Sequence, residues 1–168
     1  MNAIKNTIGV KPKLGTVAIL LFKGRGIIST LIRWQTRSPY SHAAILLPDG
    51  SIVESWQGKG VRETELTDWR NVDVFYVPSA TQEQWFNILF FINSRIGKGY
   101  DYWGVIRFIT RTNMPPNDKW FCSEIVFEAF KKAGINLLER IDPWEVSPGL
   151  LSLSPLLVPE SQSTTTSI

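Results

Sequence analysis

Two apolar stretches separated by a turn signature constrain the fold most. HAAILL (42–47) and SIVESW (51–56) flank LPDG, in which proline, aspartate and glycine favour a tight reversal of the chain. Strands joined by so short a loop pair antiparallel, because a parallel pair needs a long crossover. The sequence therefore predicts a β-hairpin.

The register of this hairpin decides where Glu54 points. A three-residue loop at 48–50 places His42 opposite Trp56, and Glu54 is then a diagonal neighbour of His42 on the same face. A two-residue turn at 49–50 shifts the alternation by one residue, so that Glu54 points away. The residue pattern leaves both registers open.

Patterns of strand and helix extend along the rest of the chain. Further strands are predicted at 16–22 and 72–77, and helices at 26–37, 81–96, 100–111 and from about 119 to a stop at Gly134. This order predicts an α+β fold with an antiparallel sheet packed against helices. Residues 1–158 are expected to form a single domain, and the polar segment 159–168 a disordered tail.

Composition narrows the chemistry. The chain of 168 residues contains one cysteine and one histidine. A lone cysteine forms no internal disulfide, and one histidine with one cysteine is too few for a Cys/His zinc site. No apolar run approaches the roughly 20 residues that span a bilayer, so we expect a cytoplasmic protein without a signal peptide or membrane span.

The positive charge is concentrated near the N-terminus. Residues 1–48 carry seven lysines or arginines and no acidic side chain, whereas the whole chain has a net charge of +3. One interpretation is a basic face that favours an anionic substrate or a membrane surface, and the other is scattered, solvated charge. Nucleic acid is not expected as a partner, because no nucleic-acid-binding motif is present.

The only cysteine lies at the predicted start of an amphipathic helix. In KWFCSEIVFEAFKKAG (119–134), apolar residues recur at helical spacing, and Asp118 or Ser123 is a candidate N-cap. Free N–H groups and the helix dipole at that end favour a thiolate at Cys122 and can stabilise an oxyanion beside it. The alternative is a buried cysteine that acts only as a small apolar residue.

Any Cys–His pair in this chain must join Cys122 to His42. His42 begins an apolar strand at a loop-to-strand junction, a place that often presents functional side chains. Glu54, a carboxylate within an otherwise apolar strand, is the candidate for orienting the imidazole. The alternative for His42 is a structural histidine.

Three segments, in this order, resemble one known family: YSHAAILLPDGSIVESWQGKGV, GKGYDYWG and WFCSEIVFEAFKKAG. They are similar to the circularly permuted NlpC-type branch of papain-like cysteine hydrolases, within it to the YiiX/YebB-like group. The resemblance spans roughly residues 14 to 135. In this group the histidine hairpin precedes the cysteine helix, the reverse of the ordinary papain order.

The resemblance implies a permuted papain-like fold and a catalytic triad. Cys122 would be the nucleophile, His42 the base and Glu54 the orienting residue, with no cofactor or metal required. Tyr100 would support the site, and Tyr40 and Trp56 would line the substrate pocket.

Three functions remain open on the sequence. The first is a thiol amidase or peptidase that forms an acyl-enzyme thioester with a peptide or small acyl-bearing substrate, such as a cell-wall-type peptide. The second is a lipid acyltransferase or thiol esterase, although FCSE replaces the asparagine-cysteine-glutamate-histidine run of that branch. The third is a non-catalytic phage or host-interaction module with the same fold.

Overall fold

A six-stranded antiparallel sheet organises the protein, whose computed structural model describes residues 16–99 and 120–160. Its strands are β1 (Ala18–Phe22), β2 (His42–Leu46), β3 (Ser51–Trp56), β4 (Gly60–Glu65), β5 (Val72–Tyr76) and β6 (Val158–Pro159). The helices are α1 (Ile27–Thr36), α2 (Gln82–Asn93), α3 (Cys122–Lys132) and the short α4 (Pro148–Leu151), with a 3-10 turn at Pro143–Glu145. The strand order is β4-β3-β2-β1-β5-β6.

The predicted α+β class with an antiparallel sheet against helices is confirmed. Two strands were not predicted, β4 and β6, and the helix expected at 100–111 lies outside the described residues. Thr81 caps α2, and its hydroxyl accepts from the Gln84 backbone N–H at 3.2 Å. The domain boundary at residue 158 stays a prediction, as does the disordered tail, of which residues 161–168 lie outside the described part.

Alternating side chains bury the sheet on both faces. On one face Ile19, Ala43, Ile45 and Val53 join a core with residues of α2 and α3. On the other face a smaller cluster contains Ala18, Leu20, Ala44, Leu46, Ile52 and Val74, partly covered by Leu66 and Trp69. In strands that are buried on both faces, apolar residues follow one another without alternating polar residues. This explains segments such as AILLF and HAAIL.

The β2–β3 hairpin has the three-residue loop of the two alternatives. Leu47 N–H donates to the Ser51 carbonyl at 2.8 Å, and Ala44 pairs with Glu54. Gly50, with φ of 94°, supplies the left-handed residue that closes the loop. His42 and Glu54 therefore point to the same face of the sheet.

Helix α3 begins at Cys122 without a side-chain N-cap. Phe121 occupies the cap position, and its N–H donates to the Glu124 carboxylate at 3.2 Å. The prediction of a Ser123 cap is wrong: its hydroxyl is buried and donates to the Val146 carbonyl at 2.6 Å, which ties α3 to the following turn. The other candidate cap, Asp118, lies outside the described residues. Gly134, with φ of 77°, follows the end of the helix as predicted.

The outer edge of β4 is closed by the segment after α2. Val61 N–H donates to the Lys98 carbonyl at 2.8 Å, and Gly97 N–H donates back to the Val61 carbonyl at 2.8 Å. Gly60 has φ of 72°, and a Cβ built on it would lie 2.1 Å from the Lys98 carbonyl oxygen. Only glycine permits this approach.

We expect Gly60→Ala to lower the free energy of unfolding by about 2 kcal/mol or more, from the strained φ and the clash with a backbone oxygen. Gly97→Ala is the matched control, because Gly97 has φ of 87° but open space around its Cβ position. Urea unfolding of both variants separates the cost of the positive φ, which both variants share, from the cost of the clash with Lys98, which only Gly60→Ala has. Equal losses would show that the contact with Lys98 contributes nothing.

Candidate active site

His42 lies at the centre of a cluster of polar and aromatic side chains at the start of β2. Its Nε2 is 2.7 Å from Oε2 of Glu54. The Phe22 ring is tilted against the imidazole with centroids 5.2 Å apart, and the Trp56 ring meets it edge to face at 5.3 Å. Only 16% of the His42 side chain is exposed. The imidazole is therefore held on several sides in one orientation.

Glu54 is buried and binds two partners at once. While Oε2 faces His42, Oε1 accepts from Arg62 through Nη2 at 2.7 Å and Nε at 3.1 Å. Arg62 is directly opposite Glu54 in the β3–β4 register, and its guanidinium lies 5.2 Å from the Trp56 ring centroid. A buried carboxylate is costly unless it is paired, and here both oxygens have a partner.

Cys122, the first residue of α3, is buried at 1% exposure and lies near enough to His42 to act on the imidazole through its charge and hydrogen bonding. At this position the N-terminal N–H groups of α3 lie beside the sulfur, where they favour negative charge. The structure thus brings together the three residues that the sequence singled out for catalysis.

The cluster changes the protonation of His42. Burial disfavours the imidazolium, but the charge and hydrogen bonds of Cys122 and Glu54 outweigh it and raise the pKa of His42 from 6.5 to about 9. Burial likewise acts to raise the pKa of Glu54, but hydrogen bonds and charges from His42 and Arg62 hold it below its ordinary value. Around neutral pH the site therefore holds an imidazolium beside a carboxylate.

Two hydrogen bonds fix the start of α3 against the sheet. Ser55, next to Glu54 and fully buried, donates from its hydroxyl to the Trp120 carbonyl at 2.6 Å. Trp120 N–H donates to the Gly99 carbonyl at 3.1 Å. The strand that carries the carboxylate thus also holds the backbone just before the cysteine.

The three predicted pocket residues fall in different places. Trp56 is 43% exposed and lies against His42, at the surface of the site. Tyr40 belongs to the core, and its hydroxyl donates to Asp73 at 2.5 Å; burial and this carboxylate raise the pKa of the phenol. Tyr100 lies outside the described residues, directly after Gly99.

A cleft of about 360 Å³ opens beside the cluster. Trp56, Glu54 and Phe22 contribute to its lining, together with positively charged Lys23, Arg25, Arg62 and Arg70 and the carboxylates of Glu65 and Asp68. Asp73 pairs with Lys23 at 2.7 Å and Asp68 with Arg70 at 2.9 Å. The cleft therefore borders the cluster at Phe22, Glu54 and Trp56, and neither His42 nor Cys122 is among the residues that line it.

Sequence reasoning missed two residues of the site, Arg62 and Ser55. The signal for Arg62 was present: a second tight reversal at Gly58–Gly60 places it across from Glu54. Ser55 gave no signal, because its acceptor, the Trp120 carbonyl, is a backbone group distant in sequence.

With this geometry in place, the family can be identified. The sequence model of one family, described as permuted papain-like amidase enzymes of the YaeF/YiiX type, matches residues 18–141 of this chain. The chain therefore belongs to this family of permuted papain-like cysteine hydrolases, as the resemblance implied. The further assignment to an NlpC-type branch stays a prediction.

Two relatives illustrate the similarity. The probable lipoprotein peptidase YaeF of Escherichia coli strain K12 is 31% identical over an alignment of 172 positions, which takes in 82% of this chain. This chain spans only 62% of the length of YaeF. A crystal structure of the metalloprotein YiiX from Escherichia coli O157:H7 has a TM-score of 0.68 at 20% identity, covering 88% of this chain and 96% of YiiX, and shows the same fold.

Residues 16–99 and 120–160 hold neither a candidate metal cluster nor a helix able to span a membrane. These residues contain no group of three or more His, Cys, Asp or Glu side chains arranged to hold a metal ion. In the same ranges, every helix is too short or too polar to cross a bilayer.

Proposed function

We propose that the protein is a thiol amidase or peptidase in which Cys122 is the nucleophile, His42 the general base and acid, and Glu54 the residue that orients His42. The observation that carries this proposal is the position of His42, whose Nε2 lies 2.7 Å from the Glu54 carboxylate and whose imidazole is influenced by the charge and hydrogen bonding of Cys122. Since Glu54 occupies Nε2, Nδ1 is the nitrogen left for the thiol. The three residues then have the roles of nucleophile, base and orienting group that make up a catalytic triad.

Acylation follows from this arrangement. The Cys122 thiolate attacks the acyl carbon, and the carbonyl π electrons move to oxygen. The N–H of Cys122, at the free end of α3, stabilises the resulting oxyanion. When the carbon–nitrogen bond breaks, the His42 imidazolium donates its proton to the leaving amine, and a thioester remains on Cys122.

Deacylation reverses the role of His42. The neutral imidazole accepts a proton from water as the water oxygen attacks the thioester carbon. Collapse of this intermediate breaks the carbon–sulfur bond, releasing a carboxylic acid and restoring the thiolate and imidazolium. Glu54, kept anionic by hydrogen bonds and charges from His42 and Arg62, holds the imidazole in one orientation during both halves of the reaction.

The substrate is proposed to be a peptide or small acyl-bearing molecule, with cell-wall-type peptides as the first class to test. Trp56 is well placed to contact it, because this ring is exposed beside His42 and lines the cleft. Tyr40 is buried in the core, where its hydroxyl donates to Asp73. Its contact with substrate and the supporting role of Tyr100 stay predictions. Nucleic acid is not proposed as a partner. A cytoplasmic location also stays a prediction, because YaeF is named as a lipoprotein peptidase.

The experiment is to trap the acyl-enzyme. Wild type and Cys122→Ser are incubated with acyl-amide peptides, including peptidoglycan fragments, and with acyl-ester lipids, then examined by intact-protein mass spectrometry. We expect an acyl adduct on Cys122 from the peptides. An adduct from lipids alone would support the acyltransferase or thiol esterase alternative.

No adduct from either class, together with Cys122 alkylation by iodoacetamide at pH 6 no faster than a free thiol, would favour the non-catalytic module.

A further inference from the structure

Helix α1 presents an apolar stripe to solvent. Ile27 is 90% exposed, Leu31 40% and Trp34 73%, and their spacing of four and three residues places them on one side of the helix. Ile28, beside them, is also 40% exposed. Ile32 is the only buried residue within this fully described helix. A helix that packs in a core shows the opposite distribution, with its apolar stripe turned inward.

The residues that flank this stripe along the chain are basic. Arg25 precedes the helix and Arg37 follows it, and both are exposed; Arg33 lies on the helix itself. The helix contains no acidic side chain, and in the sequence the first acidic residue is Asp49. Apolar side chains flanked by cations complement a surface that is apolar just below a layer of negative charge.

A pair of exposed apolar side chains on α2 has a different charged environment. On α2, Phe86 and Phe90 are 65% and 70% exposed and stack on each other with centroids 6.4 Å apart. Their helix carries Glu83 in its first turn and no basic residue in its last. Arg95 and Lys98 follow α2, but Glu83 lies in its first turn, so basic residues at both ends without an acidic one belong to α1 alone of these two helices.

We propose that α1 docks on the surface of an anionic lipid membrane, with the stripe Ile27, Leu31 and Trp34 buried at the boundary between headgroups and acyl chains. An amphipathic helix binds in this way through its buried apolar area together with attraction between basic residues and anionic lipids. Tryptophan favours this interfacial depth, because its ring is apolar and its N–H is polar. The proposal does not depend on the reaction catalysed.

Docking in this way would also orient the candidate active site. Gly24 N–H donates to the Ser41 hydroxyl at 3.0 Å, so the segment that enters α1 is joined to the residue before His42. Lys23 and Arg25, in the same segment, line the cleft that contains Trp56. The mouth of the cleft would then lie close to the headgroups, where a substrate with an acyl chain in the bilayer can reach it.

The test is flotation with vesicles of phosphatidylcholine alone and of phosphatidylcholine with phosphatidylglycerol. We expect binding to the anionic vesicles that weakens as salt is raised. The triple variant Ile27→Ser, Leu31→Ser, Trp34→Ser should lose at least about tenfold in partition coefficient, from lost apolar burial. The matched control, Phe86→Ser with Phe90→Ser, should bind like wild type, since it removes exposed apolar area from α2 instead.

Charge variants test the second half of the proposal. Arg25→Gln and Arg37→Gln should each lower binding to anionic vesicles by up to about fivefold at low salt. Circular dichroism and thermal unfolding establish that each variant folds, which is expected for exposed positions.

Three results would overturn the proposal: equal binding to both vesicle types, unchanged binding of the triple variant, or no vesicle binding. If the protein without vesicles self-associates, and the triple variant does not, the occupant of the stripe is a second copy of the chain.

Discussion

Cys122→Ala is expected to lower kcat/KM for amide hydrolysis by about four orders of magnitude or more, because removal of a covalent nucleophile leaves only binding and oxyanion stabilisation. The measurement is release of amine from the peptide that gives the adduct on Cys122. Cys122→Ser should lose nearly as much. A serine hydroxyl has a far higher pKa than a thiol, so almost none of it is ionised near neutral pH and it is a much weaker nucleophile.

The matched control is Val126→Ala, one helical turn further along α3. Val126 is fully buried, like Cys122, and the substitution removes two carbon atoms rather than one sulfur, so it disturbs the packing of the same helix at least as much. We expect lower stability but nearly unchanged activity per folded molecule. If Cys122→Ala instead retains activity within tenfold of wild type, the thiol is not the nucleophile.

Glu54→Gln is expected to reduce kcat by about a hundredfold or more, although a glutamine side chain has nearly the same size and shape as glutamate. One carboxylate oxygen of Glu54 accepts from His42 and the other accepts twice from Arg62. A glutamine offers one acceptor and one NH2 group, so a donor must face either the guanidinium or the imidazole. Arg62 has only donors, so the amide oxygen faces it. The NH2 group then faces Nε2 and selects the tautomer that carries its proton on the side of the thiol.

The same variant has a spectroscopic signature, because His42 is the only histidine and gives a single imidazole titration by NMR. In wild type the pKa is raised to about 9, so the imidazolium persists at pH 7 and loses its proton as pH rises through that value. The stability gained from this pairing is therefore complete below pH 6.5 and lost towards pH 9. Activity that needs the imidazolium should decline over the same alkaline range.

Glu54→Gln removes a negative charge beside the ring, so the midpoint of the titration should move to lower pH. Arg62→Gln removes a neighbouring cation and should not lower the midpoint of the His42 titration. A midpoint near 9 in Glu54→Gln would show that the carboxylate does not stabilise the imidazolium, and with it the proposed role of Glu54 would fail.

Local patterns in the sequence predicted much of the fold. The strands β1, β2, β3 and β5 are apolar runs, and α1, α2 and α3 carry caps, stops or helical spacing, so each element is specified by its own residues. The hairpin register was left open, because loops of two and three residues both fit LPDG. It is set by burial: with the three-residue loop, Ile52 joins the apolar cluster of Ala44 and Leu46.

Strand β4 escaped prediction because its sequence, GVRETE, has almost no strand-like apolar content. It pairs along all of β3, and Val61 is buried, so tertiary pairing rather than propensity makes it a strand. With β4 missed, the partner of Glu54 was missed as well. The candidate triad, by contrast, could be picked out because a single histidine and a single cysteine left only one pair to consider.

The order of the site residues along the chain has a consequence for how the protein is made. Strands β1 to β5 occupy residues 18–76, so His42, Glu54 and Arg62 leave the ribosome well before Cys122. Their ion-pair network can form without the thiol. The reactive sulfur joins only when α3 docks and Ser55 captures the Trp120 carbonyl. During synthesis, the nucleophile is thus the last part of the site to be added.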